Sequence, residues 1–250
     1  MIVDELWHFP VKGLGGTTLT SAHLQAGAHF PGDRLFAIAN GHARHDQVPA
    51  GTWHKKAFFL QLMRFEQLAE LECSFDGTEI TIHHRGKKVA KANLDSPEGG
   101  EQINDFLAGL LGDQIPGAPQ VMRISEGAYT DTKAPLISLG GTASVTRFAE
   151  MSGTAPDVRR FRLNIMLKTE QPFQEAALIG KTIRLGKAEM HVTASVGRCA
   201  AIDVDPATAI RGPHYLPQME ASFGHTDLGI FAEVTRSGEV APDDRLEILE

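Results

Sequence analysis

Thr193-Ala-Ser-Val-Gly-Arg-Cys-Ala-Ala-Ile-Asp-Val-Asp-Pro206 carries one of the two cysteines of this chain, with an arginine directly before it. Upstream, Ile183, Leu185, Ala188, Met190 and Val192 recur with the period of two that marks a half-buried strand. Downstream, residues 200–204 read as a second short strand, stopped by the turn signal Asp205-Pro206. Cys199 therefore lies between two strands, where the guanidinium of Arg198 would favour a thiolate. The competing reading is a small core residue, the usual place of a free cysteine.

Working outward, 250 residues suffice for one large β-domain or two smaller ones with a sizeable core. Hydrophobic residues make up 42% and charged residues 22%, an ordinary globular balance that argues against disorder. A net charge of −7 argues against a nucleic-acid surface or an anionic membrane as partner, while leaving room for a local basic cluster that holds a small anion. No apolar run is long enough to cross a bilayer, and the start Met1-Ile-Val-Asp-Glu lacks the basic and apolar regions of a signal peptide. Cys73 and Cys199 make no disulfide framework, so a reducing cytoplasm is the expected location.

Residues 2–9 look like a strand ended by Pro10, followed by Lys12 beside three glycines that permit tight backbone turns. A strand-like run covers 18–25, and Gly32-Asp33-Arg34 opens another at 35–39, with Asn40-Gly41 as a hairpin signal. Over 57–71, Phe58, Leu62, Phe65, Leu68 and Leu71 recur at three- and four-residue steps, which predicts a helix. Residues 79–91 suit a hairpin around Gly86. Ser96-Pro97 begins a helix with a stripe of Ile103, Phe106, Leu107, Leu110 and Leu111, stopped by Gly112. The breaker-rich 115–119 is the expected boundary between residues 1–118 and 119–250.

In the second half a short strand (135–139) leads to a helix capped near Thr142 and ended by Gly153. Arg159, Arg160 and Arg162 precede a strand at 165–168 and would bind an anion if they converge. A Pro/Gly-punctuated loop (206–229) and strands at 230–234 and 245–249 close the chain. Many short strands and few helices predict a mainly β, α+β architecture: a β-barrel or sandwich with added helices.

Metal and nucleophile motifs are sparse. His83 and His84, adjacent on a strand, would face opposite ways, and His42, His45 and His54 are not spaced as zinc ligands. Asp203 and Asp205 could form an acid pair, although capping the turn at Pro206 is the commoner role. What recurs instead are cations near strand ends: Lys12, Arg34, Arg160, Arg162 and Arg198, with Asn164 and Ser144 as polar company.

Pro10-Val11-Lys12 and Gly32-Asp33-Arg34 resemble the N-terminal β-barrel that accompanies MOSC domains (molybdenum cofactor sulfurase C-terminal domains). Arg162-Leu163-Asn164 resembles that family's Arg-Pro-Asn, Phe173-Gln174-Glu175 its Phe/Tyr-x-Glu, and Arg198-Cys199 with Val204-Asp205-Pro206-Ala207-Thr208 its Arg-Cys…Val-Asp-Pro-x-Thr block. The resemblance implies a smaller N-terminal β-barrel-like domain (1–118) followed by a MOSC β-barrel (119–250). It implies a molybdenum cofactor (molybdopterin) contacted by Lys12, Arg34, Ser144, Arg160, Arg162, Asn164, Ser195 and Arg198, with Cys199 as catalytic thiolate and molybdenum ligand. The layout is similar to the amidoxime-reducing component, implying reduction of N-oxygenated small molecules with electrons from a separate donor. Two alternatives stay open: a persulfide carrier loaded at Cys199 by a cysteine desulfurase, and a non-catalytic binding barrel. Gly13, Leu163, Ala209 and Asp243 depart from the family pattern.

Overall fold

The computed structural model describes residues 1–42, 51–77 and 79–249. In chain order its first half holds β1 (Ile2–His8), β2 (Thr17–Leu19), β3 (Ala22–Leu24), β4 (Phe36–Ala39), β5 (Leu71–Phe75), β6 (Glu79–His84), β7 (Lys87–Asn93) and helix α1 (Pro97–Leu111). The second half holds β8 (Gln120–Arg123), β9 (Leu136–Gly141), helix α2 (Thr142–Ser152), β10 (Ile165–Lys168), β11 (Thr182–Leu185), β12 (Ala188–Gly197), helix α3 (Leu216–Phe223), β13 (Asp227–Arg236), β14 (Gly238–Val240) and β15 (Leu246–Ile248).

One sheet dominates, in the order β15-β11-β12-β13-β9-β10-β1-β2. It is antiparallel except where β10 runs parallel to β9. The chain start is part of it: Leu6 of β1 pairs with Ile165 of β10, so the first strand is sewn into the C-terminal sheet. Val3, Leu6, Ile137, Leu139, Ile165, Ile183, Met190, Ile230 and Val234 form one buried core across it. Each such side chain contributes about 1.5–3 kcal/mol relative to exposure.

A second core sits between the antiparallel β5-β6-β7 sheet, the β4–β8 pair and α1. Helix α1 forms as its sequence dictates. Ser96 Oγ accepts from Gly99 N at 3.0 Å, Pro97 fills the first turn, and Ile103, Leu107 and Leu111 bury one face at four-residue steps. Pro10-Val11-Lys12 passes from β1 into this second core, where Val11 bridges Phe36 and Lys12 N donates to Phe36 O at 2.8 Å. That crossing fixes where Lys12 stands relative to both cores.

The architecture is mainly β with three α-helices among the described residues, as expected. Local expectations depart in four places. Residues 57–71 are not an α-helix but 3-10 turns at Lys56–Phe58 and Glu66–Glu70 leading into β5. Phe59 and Leu60 are both buried and pair in strand-like fashion with β4 (Leu60 N to Ile38 O, 2.8 Å), so tertiary pairing overrides the apolar period. The run 18–25 divides into β2 and β3, which join different sheets. Residues 200–204 form a 3-10 turn (Ala200–Asp203) rather than a strand. The expected loop 206–229 contains α3, whose Met219 is buried against α2. The Asn40-Gly41 hairpin signal leads into residues outside those described, as does His45; β4 pairs with β8.

Candidate functional site

A cavity of about 340 Å³ opens where the two cores meet. Lys12, just after β1, lines it together with Arg34, just before β4. Arg160, Arg162 and Asn164, ahead of β10, and Arg198 and Cys199, directly after β12, complete the wall. Lys56 adds a sixth cation, a local concentration of positive charge in a chain of net charge −7.

The guanidinium groups are held in three different ways. Arg162 donates through Nη1 to Leu14 O at 2.6 Å and stacks 4.4 Å from the Phe9 ring centre, while its Nη2 is buried without a hydrogen-bond partner. Burial, with Arg34 alongside, pushes its pKa down to about 9. Arg198 donates through Nη1 to Phe161 O at 3.0 Å, its Nε is buried without a partner, and burial pushes its pKa down to about 10. Arg34 pairs with Asp33 and donates through Nη2 to Arg162 O at 3.0 Å.

Arg160 is fully engaged. Nη1 donates to Ile202 O (2.8 Å) and Val204 O (3.0 Å), and Nη2 to Asp205 (2.7 Å), so it staples the turn that follows Cys199. Asp205 in turn accepts from Ala207 N, Thr208 N and Thr208 Oγ1, the capping role expected of it. Asp203 takes no part as an acid pair: it accepts from Tyr215 N at 3.0 Å and faces His214 Nδ1 at 3.0 Å. Asn164 is committed to Ser138, accepting from its N (3.1 Å) and Oγ (2.8 Å).

Two expected contacts lie elsewhere. Ser144 is fully buried in the first turn of α2 and is not among the lining residues; it donates to the Glu175 carboxylate (2.8 and 2.9 Å) and accepts from Phe173 N (2.8 Å). Ser195 donates to Asp227 Oδ2 at 2.6 Å and is not among the lining residues. Arg159 is not among the residues lining this cavity; its fork is bound to Asp157, and it meets Arg160 and Arg162 on the wall of an adjoining cavity.

Sequence reasoning missed Asp131 and Lys56. Lys12 Nζ donates to Tyr129 O at 2.8 Å and to Asp131 Oδ1 at 2.6 Å, and Lys56 Nζ lies 3.5 Å from Asp131 Oδ2. Burial lowers the Lys12 pKa, Asp131 counteracting, with Arg34 and Arg162 adding to the fall. Burial opposes ionisation of Asp131, but Lys12, Lys56 and Arg34 outweigh it and hold the carboxyl at about 2. No local motif marks Asp131, which lies 119 positions from Lys12.

The positions that depart from the family pattern differ in their local surroundings. Gly13 sits at φ +87°, and a Cβ there would come 2.6 Å from Leu60 O, so no side chain fits. Ala209 and Asp243 occupy left-handed backbone (φ +55° and +70°), the conformation that a glycine would adopt without strain. Leu163 packs in the core against Gly140 and Gly229.

The cysteines differ. Cys199 is half-buried on the cavity wall. Cys73 is 4% exposed, and burial pushes its thiol up to about 12, which keeps it protonated. Cys73 lines an adjoining cavity of about 770 Å³ that shares Arg160 and Arg162 with the first. Among the described residues no three His, Cys, Asp or Glu side chains assemble to hold a metal, so a metal beside Cys199 would need ligands supplied by its own cofactor. No helix among them is long and apolar enough to cross a membrane.

The cavity fits a multiply anionic cofactor of that kind. Two buried guanidinium N–H groups stand ready without acceptors, the Gly13 backbone leaves no side chain in the way, and a soft sulfur donor lies on the same wall.

The model of a MOSC N-terminal beta barrel domain matches residues 1–114, and that of a MOSC domain matches residues 128–247. Among solved structures, the YUAD protein from Bacillus subtilis is similar over 99% of this chain and 94% of its own, at 13% identity and a TM-score of 0.45. YiiM from Geobacillus stearothermophilus is 18% identical (TM-score 0.37) and YiiM from Escherichia coli 16% (TM-score 0.36). Each match covers 46% of this chain and 54% of the YiiM chain. A search of the curated proteins finds no match.

Proposed function

The chain belongs to the MOSC family, whose domains bind molybdenum cofactor in general, and from that premise we propose that it is a molybdenum-cofactor oxidoreductase that reduces N-oxygenated small molecules. The carrying observation is the pair of buried, partnerless donors, Arg162 Nη2 and Arg198 Nε, on the walls of the cavity that Cys199 also lines. A buried unsatisfied donor costs about 1–3 kcal/mol, which an anionic ligand would recover.

In this reading Arg162, Arg198, Arg34 and Lys12 hold the phosphate and the pterin, and the Cys199 thiolate is the protein's ligand to molybdenum. When bound, the cofactor supplies the metal at which an N–O bond is reduced. Arg160, through Ile202, Val204 and Asp205, keeps the turn after Cys199 in place and so orients the sulfur. Low exposure of the cations strengthens their pull on the ligand by excluding water. Electrons come from a separate protein donor.

The half-buried, reachable Cys199 also favours a second reading, a persulfide carrier loaded by a cysteine desulfurase. The deciding experiment is elemental analysis of protein from molybdate-fed, cofactor-competent cells. The expected result is about one molybdenum per chain, as a single-thiolate site would hold, and loss of it in Cys199→Ser. Metal-free wild-type protein, together with one added sulfur on Cys199 after exposure to a desulfurase, would replace the first reading by the second.

A further inference from the structure

Asp131 is the only acidic side chain among the described residues that line the basic cavity, facing six Lys and Arg side chains. Its carboxylate bridges two ammonium groups, Lys12 Nζ at 2.6 Å and Lys56 Nζ at 3.5 Å. The two ends of the Lys12 bridge differ in environment: the Lys12 side chain is 9% exposed, that of Asp131 58%. The backbone around Asp131 is anchored independently of its carboxylate. Trp53 Nε1 donates to Thr130 O (2.9 Å), Thr130 Oγ1 to Thr132 O (2.6 Å), and Lys12 Nζ to Tyr129 O (2.8 Å). The carboxylate can therefore turn into water without unmaking the loop, and Lys12 would keep its carbonyl bond when it did.

We infer that Asp131 is a stand-in anion, which offsets half the charge of Lys12 and Lys56 in the free protein and is exchanged into solvent by an incoming dianionic oxyanion such as a phosphate group. The inference rests on the reading of the basic cavity as a binding site for a phosphorylated ligand. Exchanging the carboxylate for another monoanion gains no charge at the two ammonium groups. A dianion attracts each of them about twice as strongly, since the Coulomb energy scales with the product of the charges. The carboxylate thus sets a threshold that selects ligands by charge, and in their absence it offsets the mutual repulsion of Lys12, Arg34 and Arg162.

Sulfate, a dianion at neutral pH that takes up no proton, is a suitable probe, with nitrate as the monoanion. Dissociation constants from ligand-dependent melting would be compared for wild type, Asp131→Asn and Lys12→Met. The expected result is sulfate binding about tenfold tighter in Asp131→Asn than in wild type, as for removal of one charged hydrogen bond. Nitrate binding is expected to be measurable only in Asp131→Asn, and sulfate binding to be lost in Lys12→Met. Equal sulfate affinity in wild type and Asp131→Asn would overturn the exchange and leave the basic-cavity reading standing. Failure of sulfate to bind wild type and Asp131→Asn alike would overturn that reading as well. Should Asp131→Asn not fold, a crystal structure of the wild type with sulfate decides. A sulfate oxygen beside Lys12 Nζ with the Asp131 carboxylate turned away supports the exchange, and sulfate bound with the Lys12–Asp131 pair intact refutes it.

Discussion

Arg34 Nη2 donates to the backbone carbonyl of Arg162 across 3.0 Å, a bond between residues 128 positions apart that ties the two cores together at the cavity wall. Both residues adopt left-handed backbone, at φ +50° and +54°, which costs a non-glycine residue roughly 1–2 kcal/mol each. The strain is held by its surroundings. Arg34 N donates to Phe9 O (2.8 Å), Phe9 N donates to Asp33 (2.7 Å), and both guanidinium groups lie over the Phe9 ring, at 5.1 and 4.4 Å. Such strained positions cluster at sites where side chains must be preorganised.

Phe9 is therefore expected to act on the cavity through the two arginines. Phe9→Leu should lower stability by about 1–2 kcal/mol through lost cation–π contacts, and weaken sulfate binding severalfold. Urea unfolding and anion titration measure the two effects; an unchanged anion affinity would mean that the ring is only filling space.

The two thiols should separate by reactivity. At pH 8, iodoacetamide is expected to modify Cys199 alone in the native protein, because Cys73 is only 4% exposed and its thiol stays protonated to about pH 12. Peptide mass mapping of the alkylated protein reads the outcome, and comparable labelling of Cys73 would contradict its burial.

Ala209→Gly should stabilise the fold by about 0.5–1 kcal/mol. The gain from relieving a left-handed alanine exceeds the entropy that glycine adds to the unfolded chain. The Ala209 N to Asp205 O bond (2.8 Å) would be kept, and chemical denaturation would show a higher midpoint at unchanged slope.

Acid should destabilise the protein first through two histidines. His8 and His29 are both pushed below the ordinary 6.5, chiefly by burial and against the pull of Asp33, and each has a buried Nε2 without a partner. A group with a depressed folded pKa contributes its stability above the unfolded value and loses it as the pH falls. Unfolding free energy should accordingly decline from about pH 6.5 downward, since the unfolded chain takes up protons that the folded one refuses. Measured between pH 7.5 and 5.5, the decline should be shallower in His8→Leu; an identical slope would place the uptake elsewhere.

Elements whose signals are short-range were legible in the chain. Ser96, Pro97 and Gly112 bound α1, and the alternation at 183–192 marks the hairpin of β11 and β12, because a cap or an alternating face is decided within a few residues. Residues 57–71 and 200–204 were not legible. Their apolar residues answer to β4 and to the staple from Arg160, not to their own period. Ser144 shows the same limit: being polar and near a basic cluster says nothing of which face of α2 it occupies.

By itself the sequence determined a mainly β chain with its cations near strand ends and a cysteine behind an arginine. Tertiary structure alone decided that Lys12, Arg34, Arg162, Arg198 and Cys199 share one cavity, that Ser144 and Ser195 stand outside it, and that Asp131 answers Lys12. The reason is that charge pairing in a cavity depends on which segments the two cores bring within a few ångströms, and that distance is set by packing between residues more than a hundred positions apart.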